Sequence, residues 1–232
     1  SQLPTILQRS ATVIHEGIDY KILSSLKSNN FSSLPSLGLP SLEGIEILTY
    51  VSRCFEEYRG FPQAIETISR LQSLRPNLHC LLIGQDGSAY GPNRTSSMPL
   101  SKWAKEKFSL DPVRTHWLGS VQQDVYFDAL AVSHVHLYLT VPFVLSWSLL
   151  ETMASATPIV ASDTAPVKEF LTHKKSALLV DFFDVSSQVE AVSSILENPS
   201  LAHSLSAEAS RCASRLCVTC GARLWDQVLF GI

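Results

Sequence analysis

Short apolar runs alternate with longer stretches of helical spacing along the chain. Each run is rich in β-branched and aliphatic residues with few polar interruptions, a pattern typical of strands buried on both faces. The predicted strands are Ala11–His15 and residues 45–51, 79–84, 114–119, 136–140, 158–163 and 177–181. Strands that alternate with helices indicate an α/β fold built on a parallel sheet.

The clearest unit is residues 138–163, YLTVPFVLSWSLLETMASATPIVASD. It predicts a strand, a loop containing Pro142, a helix that begins after Ser146, and a second strand. Ser146 is a suitable N-cap, and Leu149, Leu150 and Met153 form the apolar stripe of the helix. Such a strand-helix-strand segment predicts a right-handed βαβ unit.

The remaining segments fit one domain over residues 1–232. Residues 24–43 are rich in Ser, Pro and Gly without a sustained period, which predicts an irregular loop. Residues 185–229 have helical spacing interrupted at Pro199, which predicts two or three covering helices. The predicted fold is a Rossmann-like, doubly wound α/β domain: a mostly parallel sheet of about six strands with helices on both faces.

One carboxylate interrupts the most apolar helix of the chain. Glu151 lies in its second turn, where an unpaired buried charge would be costly. Two interpretations stay open: a residue on the solvent edge, or a ligand-binding residue. Helices of open α/β sheets begin at the crevice where ligands bind, so the second interpretation has equal weight with the first.

Two arginines flank the loop after the strand of residues 45–51. Arg53 follows this strand, and Arg59 precedes Gly60 and the next helix. Either one alone is compatible with solvated surface charge. As a pair at the end of a strand, they are well placed to clamp a diphosphate, since each guanidinium presents a rigid fork of donors.

Bulk properties narrow the class of protein. The chain has 232 residues, 45% of them hydrophobic, and a formal charge of −3. The charge gives no sign of a nucleic-acid partner, whose binders usually carry a basic stripe. No apolar run approaches the length of a transmembrane helix, and the N-terminal residues lack a signal-peptide pattern. These features favour a cytoplasmic protein.

Cysteine and histidine give no firm metal or redox signal. Of the five cysteines, only Cys217 and Cys220 form a C-x-x-C pair, and no second pair completes a zinc site. We therefore expect reduced, partly buried thiols. His134 and His136 are interpreted as hydrogen-bonded strand residues, because no third ligand is spaced to join them.

Several separated motifs resemble one enzyme family. They are SLLETMASATPIVASDTAPVKEFL, SALLVDFFD, PFVLSWSLLE, RGFPQAI and HEGID, in the expected order along most of the chain. Together they resemble the retaining, nucleotide-sugar-dependent glycosyltransferases of group 1, or family 4. Those enzymes have the GT-B architecture of two facing Rossmann-like domains, and this chain resembles the C-terminal, donor-binding one.

The resemblance implies roles for individual residues and no metal or other cofactor. Arg53 and Arg59 would stabilise the diphosphate, and Glu151 would bind the ribose hydroxyls. The remaining implied contacts to the nucleotide diphosphate sugar are Gly17, the backbone of Ser120 and Val121 near the base, and the amides of Ser146, Trp147 and Ser148 at the phosphate. In this family the leaving phosphate is thought to help deprotonate the acceptor, so no protein nucleophile is expected.

The sequence also departs from the family pattern. Phe143 stands where a glutamate usually helps to hold the donor sugar. Ala156 and Ala177 stand where glycine is usual, and Lys174 and Lys175 replace common turn residues. These changes indicate a specialised or drifted member of the family.

The resemblance leaves out the acceptor-binding half. We therefore expect this chain to be a fragment, or to act with a separate acceptor domain or partner chain. The predicted reaction is transfer of a glycosyl group, with retention, from a nucleotide diphosphate sugar to an unknown acceptor. A nucleotide-sugar 2-epimerase and a non-catalytic binding module are the alternatives.

Overall fold

The central feature is a six-stranded sheet in which all strands are parallel. The computed structural model describes residues 4, 11–28, 34–39, 41–89 and 98–231. The strands are β1 (Glu46–Phe55), β2 (Leu78–Asp86), β3 (Thr115–Gly119), β4 (Val135–Tyr138), β5 (Ile159–Ser162) and β6 (Leu178–Val180). Their order is β3-β2-β1-β4-β5-β6, which confirms the predicted Rossmann-like fold.

Helices follow the strands and cover the sheet. The α-helices are α1 (Tyr20–Ser25), α2 (Phe61–Leu74), α3 (Leu100–Lys107), α4 (Gln123–Val132), α5 (Trp147–Ala154), α6 (Ala165–Lys168), α7 (Val185–Glu197), α8 (Pro199–Ala213) and α9 (Val218–Phe230). The last three are the predicted covering helices, with the break at Pro199. Within the described ranges, no helix is long and apolar enough to span a bilayer.

Alternate residues of the strands pack on opposite faces of the sheet. On β1, Leu48 and Tyr50 pack with residues of α2 and α7, whereas Ile47 packs towards α4. On β5, Val160 lies on the α2 and α7 side, and Ile159 packs with α5 and α8. Helices therefore bury both faces, which explains the nearly continuous apolar sequence of the strands.

The contact between β1 and β4 contains a buried polar cluster. His136 is fully buried, and its Nδ1 lies 2.9 Å from Thr49 Oγ1. Ser133 Oγ lies 3.1 Å from the same Thr49 oxygen. His134 Nδ1 accepts a hydrogen bond of 3.1 Å from the amide of Ile47. The prediction that both histidines are hydrogen-bonded at the sheet is confirmed.

Two local predictions at the N-terminal end were wrong. Ala11–His15 is not a strand, and Val13 in it is 92% exposed. Residues 11–13 are exposed, and the end of the segment lies against α9, where a Cβ on Gly221 would lie 2.6 Å from the carbonyl oxygen of His15. The described part of 24–43 is not simply irregular, since it contains the 3₁₀ turns Leu26–Ser28 and Pro35–Leu37.

The cysteine prediction was wrong for one pair and right for the others. Cys217 and Cys220 form a disulfide, with a Cα–Cα distance of 5.1 Å. Cys217 is the N-cap of α9, so the first turn of the helix brings Cys220 back beside it. Cys54, Cys80 and Cys212 are free thiols, and the first two are buried.

Two departures from the family pattern fall on left-handed backbone positions. Ala156 has φ of 53° directly after α5, and Lys174 has φ of 60° in the turn before β6. Glycine adopts this region without the steric penalty that a Cβ brings. The family's usual glycine at 156 therefore has a backbone reason, and this chain retains the conformation without it.

We expect Ala156→Gly to raise the free energy of unfolding by about 1 kcal/mol, since the left-handed region is unfavourable by about 1–2 kcal/mol for a residue with a Cβ. The greater freedom of glycine in the unfolded chain offsets part of the gain. Urea denaturation measures the change. Ala207→Gly, on an exposed position inside α8, is the control and should destabilise by about 0.5–1 kcal/mol. Equal destabilisation by both changes would contradict the interpretation.

His136 should make the fold sensitive to acid. Burial lowers its pKa from 6.5 to about 3. Between those values the unfolded chain binds a proton that the folded chain does not. The free energy of unfolding therefore falls as the pH is lowered from 6.5 towards 3, by up to about 1.4 kcal/mol per pH unit, and this residue adds no pH dependence above that range. His136→Gln should flatten the curve of stability against pH, and parallel curves for the two proteins would contradict the assignment.

Candidate functional site

A crevice lies at the carboxyl ends of the central strands. The strand order reverses direction between β1 and β4, and ligands of open α/β sheets bind at such a switch point. A cavity of about 420 Å³ opens there. Its lining comes from the ends of β1 and β2, the loop after β3, and the starts of α4 and α5: Val51, Ser52, Arg53, Ile83, Gly84, Gln85, Ser120, Val121, Gln123, Tyr126, Ser146, Trp147, Ser148 and Glu151.

A β-bulge sets the position of Arg53. The register between β1 and β2 shifts between Val51 and Cys54, and Ser52 Oγ donates a hydrogen bond to the Cys54 carbonyl. Opposite the bulge, Gly84 has φ of 145°, and a Cβ there would lie 2.1 Å from the Ser52 carbonyl oxygen. The bulge turns the exposed Arg53 towards the cavity, and in the described residues its guanidinium has no carboxylate partner.

Arg59 is buried beside the cavity rather than in it. Its side chain lines a smaller adjoining pocket that shares Ser52, Arg53 and Ser146 with the larger one. Arg59 is only 6% exposed, and its Nη1 donates a hydrogen bond of 3.1 Å to Thr140 Oγ1. Its carbonyl accepts from the Tyr50 hydroxyl at 2.8 Å. The two predicted arginines are therefore neighbours, with Arg59 held rigidly behind Arg53.

The aromatic side chain of Phe143 lies over the Arg59 guanidinium. The central carbon of this guanidinium lies 5.3 Å from the centre of the Phe143 ring. Tyr58 stacks on Phe143 with 6.2 Å between the ring centres. Phe143, where the resemblance implies a glutamate, thus supplies a cation–π contact and an apolar surface instead of a negative charge.

The start of α5 faces the crevice, but some of its amides already have acceptors. The Ser146 amide donates to the Tyr138 hydroxyl at 2.9 Å, and the Ser148 amide donates to Ser146 Oγ at 3.4 Å. Among these three predicted positions, the amide of Trp147 is the one with no acceptor in the described chain. The Trp147 side chain is 50% exposed.

Glu151 lines the cavity on the inner side of α5. The Tyr126 hydroxyl donates a hydrogen bond of 2.8 Å to Glu151 Oε2. Burial raises the pKa of the Glu151 carboxyl, and the hydrogen bond from Tyr126 partly opposes this rise. Burial, together with the adjacent carboxylate, also raises the pKa of Tyr126 well above its usual range. Tyr126 therefore stays protonated and acts as the donor.

The other predicted residues divide into two groups. Ser120 and Val121 line the cavity, and Ser120 Oγ donates to Gln85 Oε1 at 3.1 Å. Gly17 does not join them. It has φ of 90°, and a Cβ there would lie 2.5 Å from Val218 Cα at the start of α9. Close packing against α9 accounts for this glycine, and its predicted contact with a ligand stays a prediction.

Sequence reasoning missed the polar residues on β2 and α4. The sequence analysis assigned no site role to Gln85, Gln123 or Tyr126, although all three line the cavity. The position of Gln123 and Tyr126 in the sequence could have identified them. A helix that starts directly after a loop at the cavity directs its first turn into the same crevice. Within the ranges described, no three His, Cys, Asp or Glu side chains are grouped to hold a metal ion. The expectation of a site without metal stays a prediction.

A family model supplies the decisive comparison. The model described as glycosyl transferases group 1 matches residues 39–211, which is most of the chain. The chain belongs to the group 1 glycosyl transferases. No curated protein sequence matches it significantly.

Solved structures similar to this group 1 glycosyl transferase share its fold. HepE from Anabaena, in a complex with UDP-glucose, superposes with a TM-score of 0.73 and 16% identity, covering 95% of this chain and 57% of that chain. Sucrose-phosphate synthase from Thermosynechococcus elongatus gives 0.68 and 21%, covering 97% and 56%. The C-terminal domain of the group 1 protein LpcC from Francisella tularensis gives 0.68 and 12%, covering 85% and 97%. The chain thus spans little more than half of the first two.

In this group 1 glycosyl transferase, Gly84 should be essential to the bulge that presents Arg53. We expect Gly84→Ala to lower the free energy of unfolding by about 2 kcal/mol or more, because backbone strain adds to a clash with the Ser52 carbonyl. Urea denaturation measures the loss. Gly44→Ala is the matched control, since Gly44 has a φ of 71° with open space around it. That change should bring strain alone, about 1 kcal/mol. Equal losses for the two variants would contradict a special role for Gly84.

Proposed function

We propose that this chain is the donor-binding half of a retaining glycosyltransferase and binds a nucleotide diphosphate sugar in the 420 Å³ crevice. The carrying observation is that Arg53, the start of α5 and Glu151 line one cavity, with Arg59 directly behind. Two arginines and the buried Glu56 lie at one end, for a net positive charge there, and Glu151 lies at the other. This arrangement suits a ligand with a diphosphate at one end and hydroxyls at the other.

Each part of the nucleotide has a matching group in this arrangement. Arg53 and Arg59 hold the diphosphate, and the free amide of Trp147 adds a donor at the positive end of the α5 dipole. Glu151 accepts hydrogen bonds from the ribose. Ser120 and Val121 lie where the base enters. The complex of HepE with UDP-glucose supports UDP-glucose as the first donor to test.

The proposed reaction needs no protein nucleophile. The bond from the anomeric carbon to the diphosphate breaks, and a bond to the acceptor oxygen forms on the same face of the sugar. The acceptor proton passes to an oxygen of the leaving phosphate. Arg53 and Arg59 stabilise the charge that develops on this phosphate, which is electrostatic catalysis by preorganised groups.

Glycosyl transfer requires a second domain or a partner chain. The cavity is open on the described structure, whereas glycosyl transfer needs an oriented acceptor and exclusion of water. Since the chain covers little more than half of HepE, we propose that an acceptor domain, in the same polypeptide or in a partner chain, closes the crevice. An epimerase would share the donor site, and product analysis on one donor separates the two reactions.

Nucleotide binding tests the proposal directly. We expect UDP and UDP-glucose to bind the chain in calorimetry, and Arg53→Ala to weaken UDP binding by about 1.5–3 kcal/mol, the range for hydrogen bonds to charged groups. Uridine affinity should hardly change, because uridine carries no phosphate. Arg53 is the preferred target because it is exposed, whereas Arg59 is buried and its loss would also affect folding.

Arg70→Ala is the matched control for Arg53→Ala. Arg70 lies on α2 in an exposed ion pair with Glu66, away from the residues that line the crevice. Its loss should leave UDP affinity unchanged. If no nucleotide diphosphate binds more tightly than about 1 mM, roughly −4 kcal/mol, the proposed function is wrong. If UDP and uridine lose equal affinity in Arg53→Ala, Arg53 has a structural role only.

A further inference from the structure

Tyr126 joins the two walls of the crevice through its hydrogen bond to Glu151. It lies in the first turn of α4, directly after the loop that contains Ser120 and Val121. Glu151 lies in the second turn of α5, and the two helices approach the cavity from different strands. The 2.8 Å bond therefore links the wall of the expected base site to the carboxylate of the expected ribose site.

The geometry points to Tyr126 as the positioning residue that fixes Glu151 to recognise the ribose hydroxyls of the nucleotide. This inference rests on the proposed function. It concerns the discrimination between ribose and deoxyribose. Tyr126 is not proposed to contact the reacting atoms.

The hydrogen bond from Tyr126 gives the two carboxylate oxygens of Glu151 different roles. Tyr126 holds Glu151 Oε2, and within the described ranges Oε1 accepts no hydrogen bond from the protein. A glutamate side chain has several rotatable bonds, so an unanchored carboxylate would lose freedom on binding a ligand. Fixing it in advance lowers that penalty and increases the affinity gained from each hydroxyl.

No other described group takes over this task. Glu151 has no Lys or Arg partner in the described chain, and the nearest polar side chains at the start of α5, Ser146 and Ser148, hydrogen-bond to each other. Both Tyr126 and Glu151 are partly shielded from water but accessible from the cavity. The phenol hydroxyl of Tyr126 is therefore the group that orients the Glu151 carboxylate.

Paired nucleotides with and without ribose hydroxyls provide the test. UDP and 2′,3′-dideoxy-UDP are titrated by calorimetry into the intact chain, Tyr126→Phe, Glu151→Gln and the double variant. Tyr20→Phe is the matched control, because it removes a hydroxyl that bonds to Ser210 and does not line the crevice.

We expect the unmodified chain and Tyr20→Phe to prefer UDP over the dideoxy compound by about 10-fold or more, and Tyr126→Phe by about 3-fold or less. The affinity for dideoxy-UDP should change little in Tyr126→Phe. In the Glu151→Gln background, Tyr126→Phe should not alter the preference further, because the two residues act through the same contact.

The positioning role of Tyr126 and the proposed nucleotide binding would be contradicted by different results. If the unmodified chain prefers UDP and Tyr126→Phe keeps that preference, or loses affinity for both nucleotides equally, Tyr126 does not position the carboxylate. If the unmodified chain binds both nucleotides alike, Glu151 does not read the ribose and the inference fails while diphosphate binding stands. If neither nucleotide binds, the proposed function fails and the inference with it.

Discussion

The pairing of β1 with β4 is the constraint on which the crevice depends. β1 is hydrogen-bonded to β2 on one side and to β4 on the other. The connection after β1 therefore runs towards β2, and the connection after β4 runs the opposite way along the sheet, towards β5. The β1–β4 register is short, Leu48 with Val135 and Thr49 with His136, and the buried hydrogen bond between the side chains of His136 and Thr49 crosses it. Beyond this short register, the ends of β1 and β4 diverge and leave space for a ligand.

Rigid packing holds the site residues on both sides of that gap. On the β1 side, the bulge against Gly84 presents Arg53, and Thr140 together with Phe143 holds Arg59. On the β4 side, the Ser146 cap starts α5, which carries Glu151 to Tyr126. Most of these hydrogen bonds come from neighbouring elements, so the site is preorganised and the binding of a ligand needs little further ordering.

Much of this could be predicted from the sequence because strands and helices leave periodic signals. The six strands of the sheet, the N-cap Ser146 and the three covering helices all followed from local patterns. The false strand Ala11–His15 shows the limit, since a β-branched run needs a neighbouring strand to pair with, and none of the described strands lies beside it. Arg59 was predicted as a ligand residue without any sign of its burial. Burial depends on the contact with Thr140, which is distant in the sequence.

The distribution of charge in the crevice fixes the direction of a bound donor. The chain has a formal charge of −3, yet Arg53 and Arg59 meet at one end of the site, where the buried Glu56 accepts a hydrogen bond from the Ala89 amide, and Glu151 lies at the other. A diphosphate next to Glu151 would face repulsion, so on the proposed function the nucleoside must lie at the carboxylate end. The sugar then lies past the arginines, beside Tyr58 and Phe143. Aromatic rings bind sugars through apolar contact, and they lack the acceptor oxygens with which a glutamate would select individual hydroxyls. On the proposed function, Phe143 in place of that glutamate would alter the recognition of the sugar and leave the nucleotide end of the site unchanged.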